Sequence, residues 1–208
     1  LSAEGSTSGL GRLTHWNMSL AGWQTDDDLR SSAAHELFHI IQYENTSYDA
    51  RVKKTLWGWW MEGTAVWAEE VLFPGENSAK DWVRQGSDFI HQGLGNYGSL
   101  SYKQEYACVA LILYLEAEHP GAVLEILRAL GALTSPADAL RTVVGDMTTF
   151  LDGFALSYFG GVDEPYRSWD LSKAFLTPRV LSEPTTLLID RGMPAESAVA
   201  VRAATDPA

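Results

Sequence analysis

The sequence predicts a mainly helical chain of the α+β class, and three observations support this. Apolar residues recur at helical spacing through most of the segment 28–159. Breaks rich in glycine and proline, such as those near 74 and 120, divide that segment into pieces of helix length. Short runs with β-branched residues lie at the two ends, in 12–20 and again after 160. We therefore expect an N-terminal strand, a helical body and a short β-leaning tail.

The expected elements follow one another along the chain. Residues 1–11 are rich in Gly, Ser and Thr, which predicts a flexible lead-in, and 12–20 is expected to form a strand. The acidic cluster Asp26 to Asp28 suits a helix N-terminus and predicts a helix at about 28–44. Further helices are expected at about 57–72, 80–92, 102–118, 121–133, 135–145 and 146–159. The domain then covers 12–159, and 160–208 is a β-leaning tail or the start of a following domain.

Composition and charge narrow the classes of function. With 208 residues, of which 46% are hydrophobic and 20% charged, the chain has the balance of one globular domain. Its 15 Lys and Arg against 27 Asp and Glu give a net charge of −12, which disfavours binding to nucleic acid or to anionic lipid. The longest apolar run, 106–115, is short for a spanning helix. We therefore expect neither a nucleic-acid partner nor a membrane.

Two smaller features concern chemistry and processing. The single cysteine, Cys108, falls in an apolar helical stretch and is predicted to be a buried structural thiol. The chain begins at Leu1 with no signal-peptide pattern, which is typical of a piece processed or excised from a longer protein.

The motif His-Glu-x-x-His lies in the predicted helix at 28–44. His35 and His39 are four positions apart, so both can direct a ring nitrogen at one metal ion from the same helix face. Glu36 lies about 100° further around the helix, where a general base can flank the metal without binding it. Chance produces this motif in about one sequence per hundred of this length. A third ligand is therefore the discriminating feature, because catalytic zinc sites usually have three protein ligands and one open position.

The next predicted helix offers that third ligand in Glu62. Its neighbours include several tryptophans, among which an unpaired carboxylate would be costly. Gly63 and Ala65 are small, as close packing of this helix against the first would require. Glu69 and Glu70 compete for the ligand role, and all three glutamates could instead form a solvated acidic face. Glu69, two turns further along the same face, is better interpreted as a hydrogen-bond partner of a ligating histidine.

Together these motifs resemble a known family of enzymes. H-E-x-F-H-x-x-Q followed by W-x-x-E-G-T-A-x-W-x-E is similar to the gluzincin branch of zinc metallopeptidases, in particular to secreted bacterial metalloproteases and, in the ligand helices, to gluzincin aminopeptidases. The resemblance covers 28–118 well and the region to 159 loosely. It implies a zincin-like catalytic domain, Zn²⁺ bound by His35, His39 and Glu62, and Glu36 as catalytic base. It also implies a peptide or protein substrate and a secreted or extracellular location.

Two details of the sequence bear on the reaction. The G-x-M-E-N segment that binds the free amine of the substrate in the aminopeptidases is missing upstream, which disfavours an aminopeptidase and leaves an endopeptidase or a peptidase of unknown cleavage preference. For stabilisation of the oxyanion, Tyr102 matches the Y-E-K-G segment of those enzymes, and Tyr106 is its rival one turn further on. His91 and then Tyr97 are weaker candidates.

Two other hypotheses compete with the peptidase. One is a catalytically silent zincin-like module that binds peptide or glycan through its tryptophans, and the intact Glu36 argues against it. The other is a purely structural zinc domain, which is disfavoured because three ligands without an obvious fourth leave an open position.

Overall fold

The structure, a computed structural model, describes residues 5–10, 13–18, 25–46, 54–75, 78–86, 102–130, 135–160, 165–169, 180–181 and 202–203. Helices predominate among these residues, so the prediction of a mainly helical chain is confirmed. The helices are α1 (Asp26–Asn45), α2 (Lys54–Leu72), α3 (Ser78–Gln85), α4 (Tyr102–Ala107), α5 (Val109–Glu118), α6 (Ala122–Leu130), α7 (Pro136–Val144), α8 (Met147–Gly160) and α9 (Tyr166–Trp169). The strands are β1 (Gly5–Leu10), β2 (Leu13–Met18), β3 (Val180–Leu181) and β4 (Arg202–Ala203).

The N-terminal strands form an antiparallel pair. Their register runs from Gly5 opposite Met18 to Leu10 opposite Leu13, and both strands contact α1. The strand expected within 12–20 is thus present as β2. Residues 5–10, which the sequence places in the lead-in, form β1, and pairing with β2 along the whole strand offsets the low strand propensity of its glycines and serines.

The helix that carries the His-Glu-x-x-His motif starts slightly earlier than predicted. Thr25 is its N-cap: the Thr25 hydroxyl accepts from the Asp28 backbone N–H at 3.0 Å, and the Asp28 carboxylate accepts from the Thr25 N–H at 3.0 Å. This reciprocal pair is a capping box, with Asp in the position that Glu usually takes. The acidic residues therefore lie in the first turn, and Thr25 rather than an aspartate caps the helix.

Helix α2 lies at the centre of the core. It contacts α1, α3, α4 and α5, and its side chains Trp59, Trp60 and Val66 are fully buried. A Cβ on Gly63 would lie 3.3 Å from backbone atoms of Cys108 and Val109. The small size of Gly63 therefore serves the approach of α2 to the junction between α4 and α5, which corrects the prediction that it faces α1.

The helix predicted at 102–118 is divided at Cys108. The Cys108 N–H is shared between the carbonyls of Gln104 at 3.2 Å and Glu105 at 3.3 Å, a bifurcated arrangement typical of a tightened turn. The Cys108 side chain is fully buried, which confirms the predicted structural thiol, and burial raises the pKa of that thiol well above its usual range.

The end of α3 and the start of the C-terminal tail also differ from the predictions. Helix α3 ends at Gln85, and 87–100 lies outside the described residues. The tail begins with the short helix α9, where the Tyr166 hydroxyl donates to the Ala110 carbonyl at 2.7 Å. The first part of the tail is therefore attached to the helical body, and β3 and β4, which form a parallel pair, follow it.

Among the described helices, none alone is both long and apolar enough to cross a membrane. The segments Lys103–Glu118 and Ala122–Leu130, bent by 111° relative to each other, meet that criterion as a pair.

Candidate metal centre

Three side chains from two helices converge at one point in the core. His35 and His39 come from α1 and Glu62 from α2, and all three are buried. Glu62 Oε2 lies 3.2 Å from His35 Nε2 and 3.3 Å from His39 Nε2. One ligand atom from each residue lies within 4.8 Å of the other two, so the group can hold a metal ion. The structure thus brings together the three ligands that the sequence predicts.

The separations fit the coordination shell of a small tetrahedral ion. Ligand atoms at about 2.0–2.1 Å from zinc and at tetrahedral angles are about 3.3 Å from each other. The distances of 3.2 and 3.3 Å from Glu62 Oε2 to the two imidazoles match that value. They are longer than a charge-assisted N–H···O bond, which is about 2.7–2.9 Å. The spacing therefore fits a shared ion, and without an ion it also allows the hydrogen bond between His35 and Glu62.

The second nitrogen of His35 is held by a carboxylate. Its Nδ1 lies 2.7 Å from Glu69 Oε1, and the Ser31 hydroxyl donates to Glu69 Oε2 at 2.7 Å. The predicted hydrogen bond between Glu69 and a histidine of the motif is therefore present. A carboxylate with two such partners orients the imidazole and increases its basicity as a ligand.

The second nitrogen of His39 is held by an amide. Its Nδ1 lies 2.6 Å from Gln42 Oε1. The Gln42 amide nitrogen donates to the Met61 carbonyl at 2.8 Å and to the Thr64 hydroxyl at 2.6 Å, both on α2. Each histidine of α1 is therefore tied to α2 through its Nδ1 side.

Charge and burial act in opposite directions on the ionisable groups here. Burial by itself would lower the pKa of His35, but hydrogen bonds and charges from Glu62 and Glu69 raise it from 6.5 to about 9. Burial would likewise raise the pKa of Glu62, but hydrogen bonds to His35 and His39 bring it well below the usual range. The pocket therefore strongly favours a positive charge next to Glu62, as a protonated imidazole or a metal ion would provide.

An aromatic side chain covers His35. The Tyr106 ring stacks on the His35 ring, with the ring centroids 5.3 Å apart and an interplanar angle of 12°. The ring of Trp82, on α3, packs against Tyr106 with the ring centroids 4.3 Å apart. Of the two candidate oxyanion donors, Tyr106 is thus next to a ligand. Tyr102 begins α4, but its side chain lies outside the described residues, as do His91 and Tyr97.

Two further glutamates, Glu36 and Glu70, lie in different parts of the structure. Glu36 follows His35 on α1, and its side chain is buried. Glu70 accepts the Ala79 backbone N–H at 2.8 Å at the start of α3, which accounts for its carboxylate without a metal. The structure therefore removes Glu70 as a rival to Glu62.

Sequence reasoning missed the roles of Ser31 and Thr64, and it noted Gln42 only as part of a motif. The signal for Ser31 and Gln42 was available, because 31, 35, 39 and 42 are spaced by three or four and are polar residues on one helix face. All four are buried, and a buried polar stripe requires internal partners. No such spacing rule identifies Thr64, which lies on the other helix.

Comparisons with protein families, with curated proteins and with solved structures found no match to this chain. None of these comparisons identifies a gluzincin, so the resemblance rests on the two sequence motifs alone.

Proposed function

We propose that this chain is a zinc-dependent peptidase, with His35, His39 and Glu62 as zinc ligands and Glu36 as general base. The observation that carries the proposal is the convergence of two imidazole nitrogens and one carboxylate oxygen at tetrahedral spacing. A donor set of two histidines and one carboxylate suits zinc and leaves a position open for substrate or water. A zinc ion bound there would polarise the scissile carbonyl and lower the pKa of an attacking water toward about 7.

The buried carboxylate of Glu36 supplies the proton transfer in this mechanism. It follows a ligand directly in sequence, so it flanks the reacting atoms without being required as a ligand. Glu36 accepts the proton of the attacking water and delivers it to the leaving amine. A tyrosine of α4 donates to the developing oxyanion, and we keep Tyr102 as the first candidate and Tyr106 as the second.

We further propose that the substrate is a peptide or protein, that cleavage is internal, and that the enzyme acts outside the cell. These parts rest on the motifs, whereas the metal site rests on the geometry. The zincin-like fold class is part of the same proposal, supported by the pairing of a motif helix with a glutamate helix and by the strands that contact α1.

The tryptophans give little support to the alternative, a catalytically silent module that binds peptide or glycan through them. Among residues whose side chains the structure describes, the tryptophans are buried or half-buried: Trp57, Trp59, Trp60, Trp67, Trp82 and Trp169. A glycan-binding surface needs exposed aromatic rings, and these six contribute to the core instead.

Hydrolysis of casein, an unstructured protein substrate, tests the proposal. Activity should disappear with a chelator and return with zinc. Glu36→Gln should lower turnover by about 10²–10⁴-fold with zinc still bound, because the amide cannot accept the proton. Glu44→Gln, an exposed glutamate on the same helix, is the matched control and should keep wild-type turnover. Undiminished hydrolysis in Glu36→Gln would remove Glu36 from the mechanism.

A further inference from the structure

The side-chain amide of Gln42 has one orientation that satisfies all of its partners. Gln42 is fully buried, so each of its polar groups needs a partner inside the protein. The Met61 carbonyl can only accept, so the amide nitrogen at 2.8 Å must be the donor there. The Thr64 hydroxyl gives its proton to the Trp60 carbonyl at 2.6 Å, so its oxygen accepts the second N–H of the amide. The amide oxygen then necessarily faces His39.

This orientation decides which nitrogen of His39 carries the proton. The Gln42 oxygen can only accept, so the Nδ1 atom at 2.6 Å from it must carry a hydrogen. A neutral imidazole has one ring proton, which leaves the lone pair on Nε2. That Nε2 is the atom that lies 3.3 Å from Glu62 Oε2 at the candidate metal position.

We propose that Gln42 is a positioning residue that fixes His39 as the Nδ1–H tautomer and thereby aims the Nε2 lone pair at the metal. The inference rests on the proposed metal site and adds a residue to it. Free neutral histidine favours the opposite tautomer, with the proton on Nε2, so without Gln42 the ligand atom would usually be blocked by a proton. The Met61 carbonyl that anchors Gln42 belongs to the residue directly before Glu62, so the same hydrogen bonds hold His39 and Glu62 at a fixed separation.

The two histidines of the site are therefore supported in different ways. His35 has the carboxylate of Glu69 on its Nδ1, whereas His39 has an uncharged amide. A second carboxylate at position 42 would lie next to the Met61 carbonyl and the Thr64 hydroxyl with no proton to donate to either. An amide orients the His39 ring with its oxygen and donates to both acceptors on α2 with its nitrogen, whereas a carboxylate has no hydrogen to donate to them.

The experiment separates orientation of the ring from general packing. Gln42→Met keeps the size of the side chain but removes both the acceptor and the donors. Gln42→Glu keeps the acceptor toward His39 and removes the two donors. Gln104→Met is the matched control, because it removes a buried amide from α4, a helix other than the two that carry these hydrogen bonds. Zinc affinity is measured by competition with a chromogenic chelator, and the thermal midpoint is measured on the metal-free proteins.

We expect Gln42→Met to weaken zinc binding by about 10–100-fold, the range for loss of a hydrogen-bond partner of a ligating histidine. Gln42→Glu should lower the thermal midpoint at least as much as Gln42→Met does. Its zinc affinity should nevertheless stay within about threefold of the wild type, since its carboxylate oxygen still accepts from His39 Nδ1. Gln104→Met should lower the midpoint and leave zinc affinity unchanged. Equal losses of affinity in Gln42→Met and Gln42→Glu would mean that Gln42 acts only through packing, and the proposal would fail.

A second measurement needs no variant and no zinc. Long-range ¹H–¹⁵N correlation of the His39 ring in the metal-free wild type, recorded in alkaline buffer, reports the tautomer directly. The Nδ1–H form supports the proposal, and the Nε2–H form overturns it. A wild type that shows the Nδ1–H form but binds no zinc would overturn the proposed function while leaving the role of Gln42 in orienting the ring intact.

Discussion

The carboxylate of Glu69 should strengthen metal binding although it lies on the far side of His35 from the metal. It accepts from His35 Nδ1 and from the Ser31 hydroxyl, each at 2.7 Å, in a buried position. In Glu69→Gln the amide oxygen can still accept from His35, but the bond is no longer charge-assisted. Hydrogen bonds to charged groups contribute about 1.5–3 kcal/mol and neutral ones about 1 kcal/mol.

The difference of about 0.5–2 kcal/mol corresponds to a loss of about 2–30-fold in zinc affinity, with about tenfold at its centre. One effect opposes part of this loss of affinity. The charge of Glu69 helps to raise the pKa of His35, so a variant without that charge has a His35 that protons occupy less readily in competition with zinc. Glu69→Ala leaves both His35 Nδ1 and the Ser31 hydroxyl without their acceptor. The zinc affinity of this variant should therefore fall by about 100-fold, the upper end of the range for loss of such a partner.

The matched control is the neighbouring glutamate on the same helix. Glu70 accepts from the Ala79 N–H at the start of α3, so Glu70→Gln should weaken a helix cap by about 1 kcal/mol and leave zinc affinity unchanged. Competition with a chromogenic chelator gives the affinities, and circular dichroism checks that each variant is folded. If Glu69→Gln binds zinc within twofold of the wild type, as Glu70→Gln should, the argued role of Glu69 is wrong.

Two further predictions concern the ligands and the oxyanion. His39→Ala should lose its zinc yet remain folded. In the wild type, zinc at a hundredfold excess over Kd should stabilise the folded state by about 2.7 kcal/mol, and this stabilisation should be absent from the melting curve of the variant. Stoichiometric zinc in both His35→Ala and His39→Ala would contradict the site. Tyr102→Phe should lower kcat by about 100-fold with little change in KM or zinc content, whereas Tyr106→Phe should be mild because the ring stacked on His35 is retained. The reverse order in steady-state kinetics would transfer the role to Tyr106.

The helices and the candidate metal-binding residues could be predicted because each depends mainly on features local to one helix. Helical periodicity identified α1 and α2 to within a few residues, and the four-residue separation of His35 and His39 is itself a statement about one helix face. Glu62 required a second step, the cost of an unpaired carboxylate among tryptophans, and that step also depends only on local composition.

What could not be predicted depends on how one element approaches another. The pairing of residues 5–10 with β2 depends on a partner strand rather than on their own propensity. The stacking of Tyr106 on His35 depends on how α4, which ends just before the break at Cys108, lies against α1 and α2. The link from Gln42 to Thr64 needs the rotation of both helices about their axes, which periodicity constrains only to a broad face.

The hydrogen bonds suggest that the metal site and the α1–α2 pair form as one unit. His35 is tied to α2 through Glu69, and His39 is tied to it through Gln42 and the Met61 carbonyl. Glu62 lies between these two attachments and faces both histidines. Docking of the two helices therefore sets the ligand separations, and binding of an ion would in turn favour the docked state, because a ligand that binds only the folded arrangement stabilises it.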